Sequence, residues 1–285
     1  MSHRLRCRQY LSGYQRTARL CGCAYYVAEL FGFYHCNVTV NAPVLEFSDV
    51  SKRYGGRVVL DHLNLTVERG EFVGLVGVNG AGKTTLSKGL LDLCHLDSGS
   101  ISIFGRDSRR SGARSHLAYL PERFQPPAHV RGRDYIRFYS ELHGIAYDED
   151  QVRALASSLD LDFEVVAHPI KTYSKGMMQK LGLLCCFLVD KKLLILDEPM
   201  SGLDPQARAF LKSCMARLKQ QGKTLFITTH MLADVESICD RLAVLHQGQL
   251  KYVGSPKCFS EQYGASDLDS AFMNCIAAEK EPALQ

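Results

Sequence analysis

One glycine-rich stretch constrains this chain more than any other feature. Residues 77–85 read Gly-Val-Asn-Gly-Ala-Gly-Lys-Thr-Thr and fit the pattern G-x-x-x-x-G-K-[ST]. An apolar run, Val73–Val76, comes before this stretch, and a segment with helical periodicity begins at Leu86. Glycines in such a position let the backbone N–H groups point inward, and the following helix adds the positive end of its dipole. The stretch therefore predicts a phosphate-binding loop between a strand and a helix.

The loop offers both backbone and side-chain groups to a nucleotide. Lys83 brings a mobile cation to the β- and γ-phosphates, and the Thr84 hydroxyl is placed to bind Mg²⁺. A glycine-rich turn that binds nothing is the alternative, but the flanking strand and helix favour the binding loop. The loop residues that we expect to contact the nucleotide are Gly77, Asn79, Gly80, Gly82, Lys83, Thr84 and Thr85.

Charge and hydropathy restrict the partners of the chain. Residues 1–42 hold five arginines and one glutamate, which accounts for the whole net charge of +4. The rest of the chain carries equal numbers of basic and acidic side chains, so we expect no nucleic-acid partner, because phosphate neutralisation needs clustered lysine and arginine. No apolar stretch is long enough to span a bilayer. If the chain takes part in a membrane process, we therefore expect it to act from the membrane surface.

The first 42 residues carry none of the nucleotide-binding patterns. Early arginines followed by an apolar stretch resemble a signal peptide, but a nucleotide site downstream argues against export. A zinc site could be proposed from five residues of this segment, but their spacing is not one of the recognised ligand spacings. These residues are Cys7, Cys21, Cys23, His35 and Cys36. We interpret residues 1–42 as a poorly ordered extension or as sequence upstream of the true start. Four other cysteines lie in apolar helical segments and are predicted to be reduced core thiols: Cys185, Cys186, Cys214 and Cys239.

Two regions flank the predicted parallel core. From Pro43, apolar residues such as Leu45 and Phe47 alternate with polar ones, which predicts short antiparallel strands, and Tyr54 lies among them beside two glycines. Further along, no regular strand follows Glu122 until Leu193. That interval predicts a helical insertion over about residues 123–188.

The last helix of this insertion begins after Ser174, which has the side chain of an N-cap residue. Its free N–H groups and positive dipole end could bind an anion. Ordinary helix capping explains the same pattern, and taken alone it is the more common explanation.

Polar residues follow two predicted buried strands. The apolar run Leu193–Leu196 ends in Asp197 and Glu198, and the strand at 224–229 delivers His230. Carboxyl ends of parallel strands form the ligand-binding edge of an open α/β sheet. Asp197 is therefore the expected Mg²⁺ ligand, and Glu198 is placed to orient or deprotonate water.

Taken together, these segments resemble the ATP-binding cassette ATPases over about residues 44–256. The resemblance implies an α/β P-loop NTPase core with a mostly parallel sheet, an antiparallel β subdomain and a helical insertion. It implies ATP as the nucleotide, Mg²⁺ as the metal, a cassette domain over 43–256 and a C-terminal tail over 257–285. The segments that carry it, in family order, are 77–85, 173–177, 193–198, 201–204 and His230.

The resemblance also implies roles for single residues. Tyr54 would stack on adenine, Glu198 would act as general base, and His230 would join Lys83 at the γ-phosphate. Two such domains would bind head to tail, so that each nucleotide lies between one phosphate loop and the partner's Ser174 and Gly176. A further residue, Asp204, would communicate between the two sites.

The sequence departs from the family pattern at two places. The usual Leu-Ser-Gly-Gly-Gln is Tyr173–Met177 here, which keeps Ser174 and Gly176 but replaces the terminal amide with a thioether. The family's glutamine after the third strand is Glu122, a carboxylate that can bind Mg²⁺ but repels phosphate. The implied metal ligands are thus Thr84, Asp197 and Glu122.

The resulting functional hypothesis is ATP hydrolysis that drives export through separate membrane-spanning permease subunits, from the cytoplasmic face of the membrane. The partner cassette would be a second copy of this chain or a homologous ATPase domain. The alternative is a non-transport cassette protein that acts on ribosomes or DNA, but this chain has one phosphate loop and no sustained heptads. A P-loop kinase or GTPase would lack the 173–177 segment, and a regulatory binding module would not need Glu198.

Overall fold

The computed structural model describes residues 42–278 of the chain. Residues 1–41 and 279–285 lie outside the described part, and with them the positions considered for a zinc site and almost all of the predicted N-terminal extension. Within residues 42–278, no helix combines the length and the apolar character that crossing a bilayer requires.

The strands of the described residues form two sheets. Their bounds are β1 (Leu45–Tyr54), β2 (Arg57–Val67), β3 (Phe72–Val76), β4 (Ser98–Ile103), β5 (Arg106–Asp107), β6 (Leu117–Leu120), β7 (Leu193–Asp197), β8 (Thr224–Thr229), β9 (Arg241–His246) and β10 (Gln249–Gly254). The helices are α1 (Lys83–Leu90), α2 (Gly132–Leu142), α3 (Glu149–Ser158), α4 (Lys175–Leu188), α5 (Pro205–Gln220), α6 (Leu232–Ile238), α7 (Pro256–Gln262) and α8 (Leu268–Ala277).

The larger sheet has the order β10-β9-β3-β8-β7-β6. Five of its six strands, β9, β3, β8, β7 and β6, are parallel to one another, and β10 pairs antiparallel with β9. All residues of β3, β7 and β8 are buried, because helices and the smaller sheet cover both faces. This arrangement confirms the predicted α/β core, and it brings the carboxyl ends of four neighbouring strands to one edge.

The smaller sheet is antiparallel and has the order β2-β1-β4-β5. Apolar side chains from its inner face, such as Phe47 and Leu63, pack in one cluster with Leu75 of β3 and Leu86 of α1. The predicted antiparallel β region is therefore present, and it supports the sheet and the helix that flank the phosphate loop.

Helices α2, α3 and α4 lie between β6 and β7, together with short 3-10 turns, as the helical periodicity predicted. They pack on a second core cluster that includes Ile136, Val152 and Leu184. Residues after 256, interpreted from the sequence as a tail, form α7 and α8. Phe259 and Ala271 of these helices are completely buried in the same cluster.

The cysteines of the apolar helical segments are buried and free, as predicted: Cys185, Cys186, Cys214 and Cys239. Burial raises the pKa of Cys186 and of Cys239 to about 12. These thiols therefore behave as small apolar core groups rather than as nucleophiles.

Candidate active site

The site lies at the edge of the larger sheet where β3, β8, β7 and β6 end. Residues 77–82 connect the end of β3 to α1, and Asp197 and Glu198 stand at the end of β7. His230 follows the last residue of β8, and Glu122 lies two residues beyond β6. Because these four strands are neighbours and parallel, the fold brings together residues that are far apart in sequence.

Two glycines of the phosphate loop, Gly77 and Gly82, are required by close backbone contacts. A Cβ atom on Gly77 would collide with the carbonyl oxygen of Leu245, and one on Gly82 would lie 2.6 Å from the carbonyl oxygen of Val59. Gly82 also has φ +117, a backbone conformation that side-chain-bearing residues rarely adopt. The loop therefore packs tightly on β2 and β9.

The Lys83 ammonium is buried and turned onto its own loop. Its Nζ donates to the Gly77 carbonyl oxygen at 2.6 Å, and the Val78 carbonyl oxygen lies at 3.4 Å. Burial lowers the pKa of Lys83, and the negative charges of three nearby carboxylates oppose this shift. Phosphate oxygens could replace the carbonyl acceptors, because the side chain is flexible and carries three donors.

Asp197 is held by three hydroxyl groups. Its Oδ1 accepts hydrogen bonds from Ser87 Oγ at 2.9 Å and Thr228 Oγ1 at 2.8 Å, and its Oδ2 accepts one from the Tyr119 hydroxyl at 2.7 Å. Burial raises the pKa of Asp197, while these three hydrogen bonds act in the opposite direction because they stabilise the carboxylate. No sequence pattern marks Ser87, Tyr119 or Thr228 as parts of the site.

Glu198 and His230 form a pair. The Nδ1 atom of His230 lies 2.8 Å from Oε1 of Glu198, and Oε2 accepts a hydrogen bond from Thr229 Oγ1 at 3.2 Å. Glu198 is buried, whereas the His230 side chain is about half exposed. The Glu198 backbone has φ +49, in the left-handed region, and its N–H donates to the Thr228 carbonyl oxygen at 2.9 Å. Hydrogen bonds thus hold both the carboxylate and the backbone N–H of Glu198.

A cavity of about 540 Å³ lies over the phosphate loop. The predicted site residues that line it are Tyr54, Asn79, Gly80, Gly82, Lys83, Thr84, Thr85, Glu122 and Glu198. Arg57, Val59 and Thr228 also line it and were not predicted. Tyr54 is 48% exposed, and the Nζ atom of Lys52 lies 5.1 Å from the centroid of its ring. The cavity therefore combines an exposed aromatic ring with a phosphate loop, as adenine and phosphates together require.

Ser174 caps α4 and does not line this cavity. Its Oγ accepts a hydrogen bond from the Met177 N–H at 3.1 Å, and the Ser174 N–H lies 3.4 Å from Met177 Sδ. The thioether thus occupies the position that a glutamine side chain takes in a capping box. Ser174 is exposed, and Gly176 approaches the carbonyl oxygen of Gly202 so closely that a Cβ atom would lie 2.9 Å from it.

Asp204 is also outside the cavity. It caps α5, where its Oδ1 accepts a hydrogen bond from the Ala207 N–H at 2.8 Å. Three predicted site residues, Ser174, Gly176 and Asp204, therefore do not line the cavity over the phosphate loop.

The donors at the phosphate loop could hold Mg²⁺ only together with oxygen atoms from a bound nucleotide. Thr84 and Glu122 line the cavity, and Asp197 lies beside it through its bond to Thr228. No group of three His, Cys, Asp or Glu side chains among the described residues is arranged to hold a metal alone. Mg²⁺ commonly binds through one or two carboxylates together with substrate phosphates, so this donor set fits an ion that arrives with a nucleotide.

Comparisons with known proteins agree with this geometry. A family model described as ABC transporter matches residues 60–201. Nod factor export ATP-binding protein I of Burkholderia orbicola is 37% identical over 233 residues, covering 80% of this chain and 75% of that protein. The human phospholipid-transporting ATPase ABCA3 is 34% identical over 234 residues, which cover 79% of this chain and 14% of that protein.

Solved structures show the same fold. A structure described as the ATP-binding subunit of an ABC transporter aligns with a TM-score of 0.76 at 32% identity and covers 82% of this chain and 99% of that chain. A nucleotide-free ATP-binding cassette from an ABC transporter aligns with a TM-score of 0.64 at 19% identity, covering 75% of this chain and 91% of that chain.

Proposed function

Because the chain belongs to the ABC transporter family and is an ATP-hydrolysing subunit of such a transporter, we propose that it powers export through separate membrane-spanning subunits. Support comes from relatives whose names describe export, among them Nod factor export proteins of Burkholderia orbicola and Sinorhizobium fredii. These relatives favour transport over the alternative of action on ribosomes or DNA. The proposed location is the cytoplasmic face of the membrane, where the permease subunits would bind the chain.

The proposed catalytic mechanism rests on the contact between Glu198 and His230. Glu198 would accept a proton from the water that attacks the γ-phosphorus, because its carboxylate stands at the phosphate edge of the sheet. His230 Nδ1 lies 2.8 Å from the carboxylate, and when both ring nitrogens carry hydrogen, Nδ1 would donate to Glu198 while Nε2 would donate to a γ-phosphate oxygen. Base and phosphate contact would thus be coupled through one hydrogen bond.

Nucleotide binding would involve the cavity residues. Lys83 would exchange the Gly77 and Val78 carbonyls for β- and γ-phosphate oxygens, and Tyr54 would stack on adenine. Thr84, Asp197 and Glu122 would hold Mg²⁺, which neutralises phosphate charge when bound. The remaining loop residues, Gly77, Asn79, Gly80, Gly82 and Thr85, would supply the cradle around the phosphates.

The proposal includes a second cassette, either another copy of this chain or a homologous domain. Ser174 and Gly176 lie at an exposed helix start that does not line the chain's own cavity, and α4 directs its positive dipole end outward there. In a head-to-tail pair, this helix start would complete the partner's nucleotide site. Asp204 follows the loop that contacts the same helix start and would relay occupancy between the two sites.

Glu198→Gln tests the catalytic proposal. The amide preserves the size of the side chain but cannot accept the proton, so we expect ATP binding within about two-fold of wild type and a fall in kcat of about 100-fold or more. Binding is measured by equilibrium titration, and turnover by phosphate release. Near-normal turnover in this variant would remove Glu198 from the role of base.

A further inference from the structure

Gln179 is a buried polar side chain of α4 that points at the catalytic turn. It is 5% exposed and lies five residues after Ser174. Its Nε2 atom lies 3.3 Å from the carbonyl oxygen of Glu198 and 3.1 Å from that of Pro199. One side-chain amide therefore serves two successive backbone acceptors immediately after β7.

The turn that Gln179 holds is conformationally demanding. Glu198 has φ +49, in the left-handed region. A residue with a side chain keeps this conformation only when contacts with its surroundings hold it there. Buried carbonyl groups also need donors, since an unpaired one costs the desolvation of the group. The Glu198 carbonyl oxygen already accepts a hydrogen bond from the Ser201 N–H at 3.0 Å, and the Gln179 amide adds a donor from a neighbouring helix to it and to the Pro199 carbonyl oxygen. This connection to α4 fixes the direction in which the Glu198 side chain leaves the backbone.

A second contact joins the same two segments nearer the surface. The Nζ atom of Lys175 lies 3.1 Å from Ser201 Oγ, and the Lys175 stem covers Gly202. The first turns of α4 are thus connected to residues 198–202 at a buried point and at an exposed point. Gln179 provides the buried connection, and only this one reaches the backbone of Glu198.

We infer that Gln179 is a positioning residue for catalysis, which holds Glu198 of its own chain in the geometry needed for proton transfer. The inference rests on the proposed role of Glu198 as base. Gln179 touches neither the nucleotide cavity nor the reacting atoms, so its removal acts on the chemical step and spares nucleotide binding. A displacement of about 1 Å at a reacting group can cost about 100-fold in rate, which sets the scale of the effect.

Two variants test the inference in the intact protein. Gln179→Leu removes both donated hydrogen bonds, and Gln179→Glu keeps the volume but places oxygen against the two carbonyls. We expect kcat to fall by about ten-fold or more in both, with KM for ATP within about two-fold of wild type. Ser140→Ala is the matched control, because it deletes a fully buried hydroxyl that bonds only Ile136 of its own helix.

Thermal unfolding and a double variant separate positioning from general destabilisation. Gln179→Leu in a Glu198→Gln background should leave the residual rate within about two-fold, since the misplaced group no longer acts as base. An unchanged kcat in either folded Gln179 variant would overturn the inference. If Glu198→Gln itself retained turnover, the proposed base would be wrong, and this is a different result from a silent Gln179 substitution.

A mixed pair locates the effect in one chain. When an Lys83→Ala chain pairs with a Ser174→Arg chain, the intact site uses Lys83 and Glu198 of the Ser174→Arg chain. Adding Gln179→Leu to that chain should reduce the recovered ATPase rate by about ten-fold or more, whereas adding it to the Lys83→Ala chain should not. Loss of the recovered rate from the second placement would overturn the inference, because Gln179 would then act through Ser174. If the Lys83→Ala and Ser174→Arg chains recover no ATPase rate even with intact Gln179, the head-to-tail proposal is wrong. The kcat values of Gln179→Leu and Gln179→Glu then still decide the inference.

Discussion

The edge of the sheet that holds Lys83, Asp197 and Glu198, here called the phosphate edge, and the start of α4 are both proposed to contact nucleotide phosphates, yet they differ in the contacts that their own chain supplies. At the phosphate edge, Lys83, Asp197 and Glu198 are buried, and each already contacts partners from its own chain. At the start of α4, Ser174 is exposed and does not line the cavity. One region is thus a buried cluster held by contacts within the chain, and the other is an exposed helix start outside the cavity.

The rigidity of the second region is visible in its local contacts. Met177 completes the capping interaction around Ser174, and the Tyr173 hydroxyl donates to the Val165 carbonyl oxygen at 2.8 Å. Gly132 leaves room for that hydroxyl, since a Cβ atom there would collide with it. An exposed helix start held by these contacts would need little reordering to bind a partner, which supports the proposed site shared between two chains.

The largest effect is expected from a substitution that disables the phosphate edge and leaves the start of α4 intact. Lys83→Ala removes the cation nearest the β- and γ-phosphates, so we expect ATP affinity to fall about ten-fold or more and turnover to drop to background. Lys88→Ala is the matched control, because Lys88 is an exposed lysine of the same helix. Equal ATP affinity in the Lys83→Ala variant and in wild type would contradict this assignment of Lys83.

A smaller effect is expected from the support beneath the phosphate edge. Tyr119→Phe deletes the hydroxyl that donates to Asp197 Oδ2, and a hydrogen bond to a charged group contributes about 1.5–3 kcal/mol. We expect kcat to fall about three- to ten-fold and the Mg²⁺ concentration needed for half-maximal rate to rise. Tyr147→Phe serves as control, since its buried hydroxyl has no hydrogen-bond partner within the described residues. Identical Mg²⁺ dependence in the two variants would argue against a metal ligand at Asp197.

The smallest effect should come from loosening the start of α4. Tyr173→Phe removes the bond to Val165 but leaves Ser174 and the phosphate edge unchanged, at a cost to stability of about 1 kcal/mol. We expect ATP binding to the isolated chain to be unaltered and the ATPase rate of the paired form to fall about two- to five-fold. Weakened ATP binding in the isolated chain would mean that this region serves the chain's own site.

Much of the phosphate edge could be predicted from the sequence. The loop pattern identified Lys83, and the rule that parallel strands end at one edge brought Asp197, Glu198 and His230 together before any contact was known. The contact between Glu198 and the half-exposed His230 depends on strand order, which the sequence does not state. Its discovery required the pairing of β7 with β8.

Other parts of the site could not be predicted because their meaning depends on tertiary contacts. Ser87 and Thr228 are common residues within a helix and a strand, and only the fold turns their hydroxyls toward Asp197. Gln179 is one of several polar residues near the start of α4, and nothing local indicates that it reaches the turn after β7. Such residues are identified by burial and partners rather than by sequence patterns.

The central claim is that the two regions of one chain serve two different nucleotides, and complementation tests it most directly. Lys83→Ala disables the phosphate edge, and Ser174→Arg fills the start of α4 with a bulky cation, so each variant alone should be inactive. In a mixed pair, one site combines an intact Lys83 with an intact Ser174, and the other carries both lesions. The measurement is ATPase rate against mixing ratio, with membrane subunits present if isolated chains pair weakly. The account predicts a recovered rate that is highest near equal amounts; no recovery at any ratio, once mixed pairs are shown to form, would contradict it.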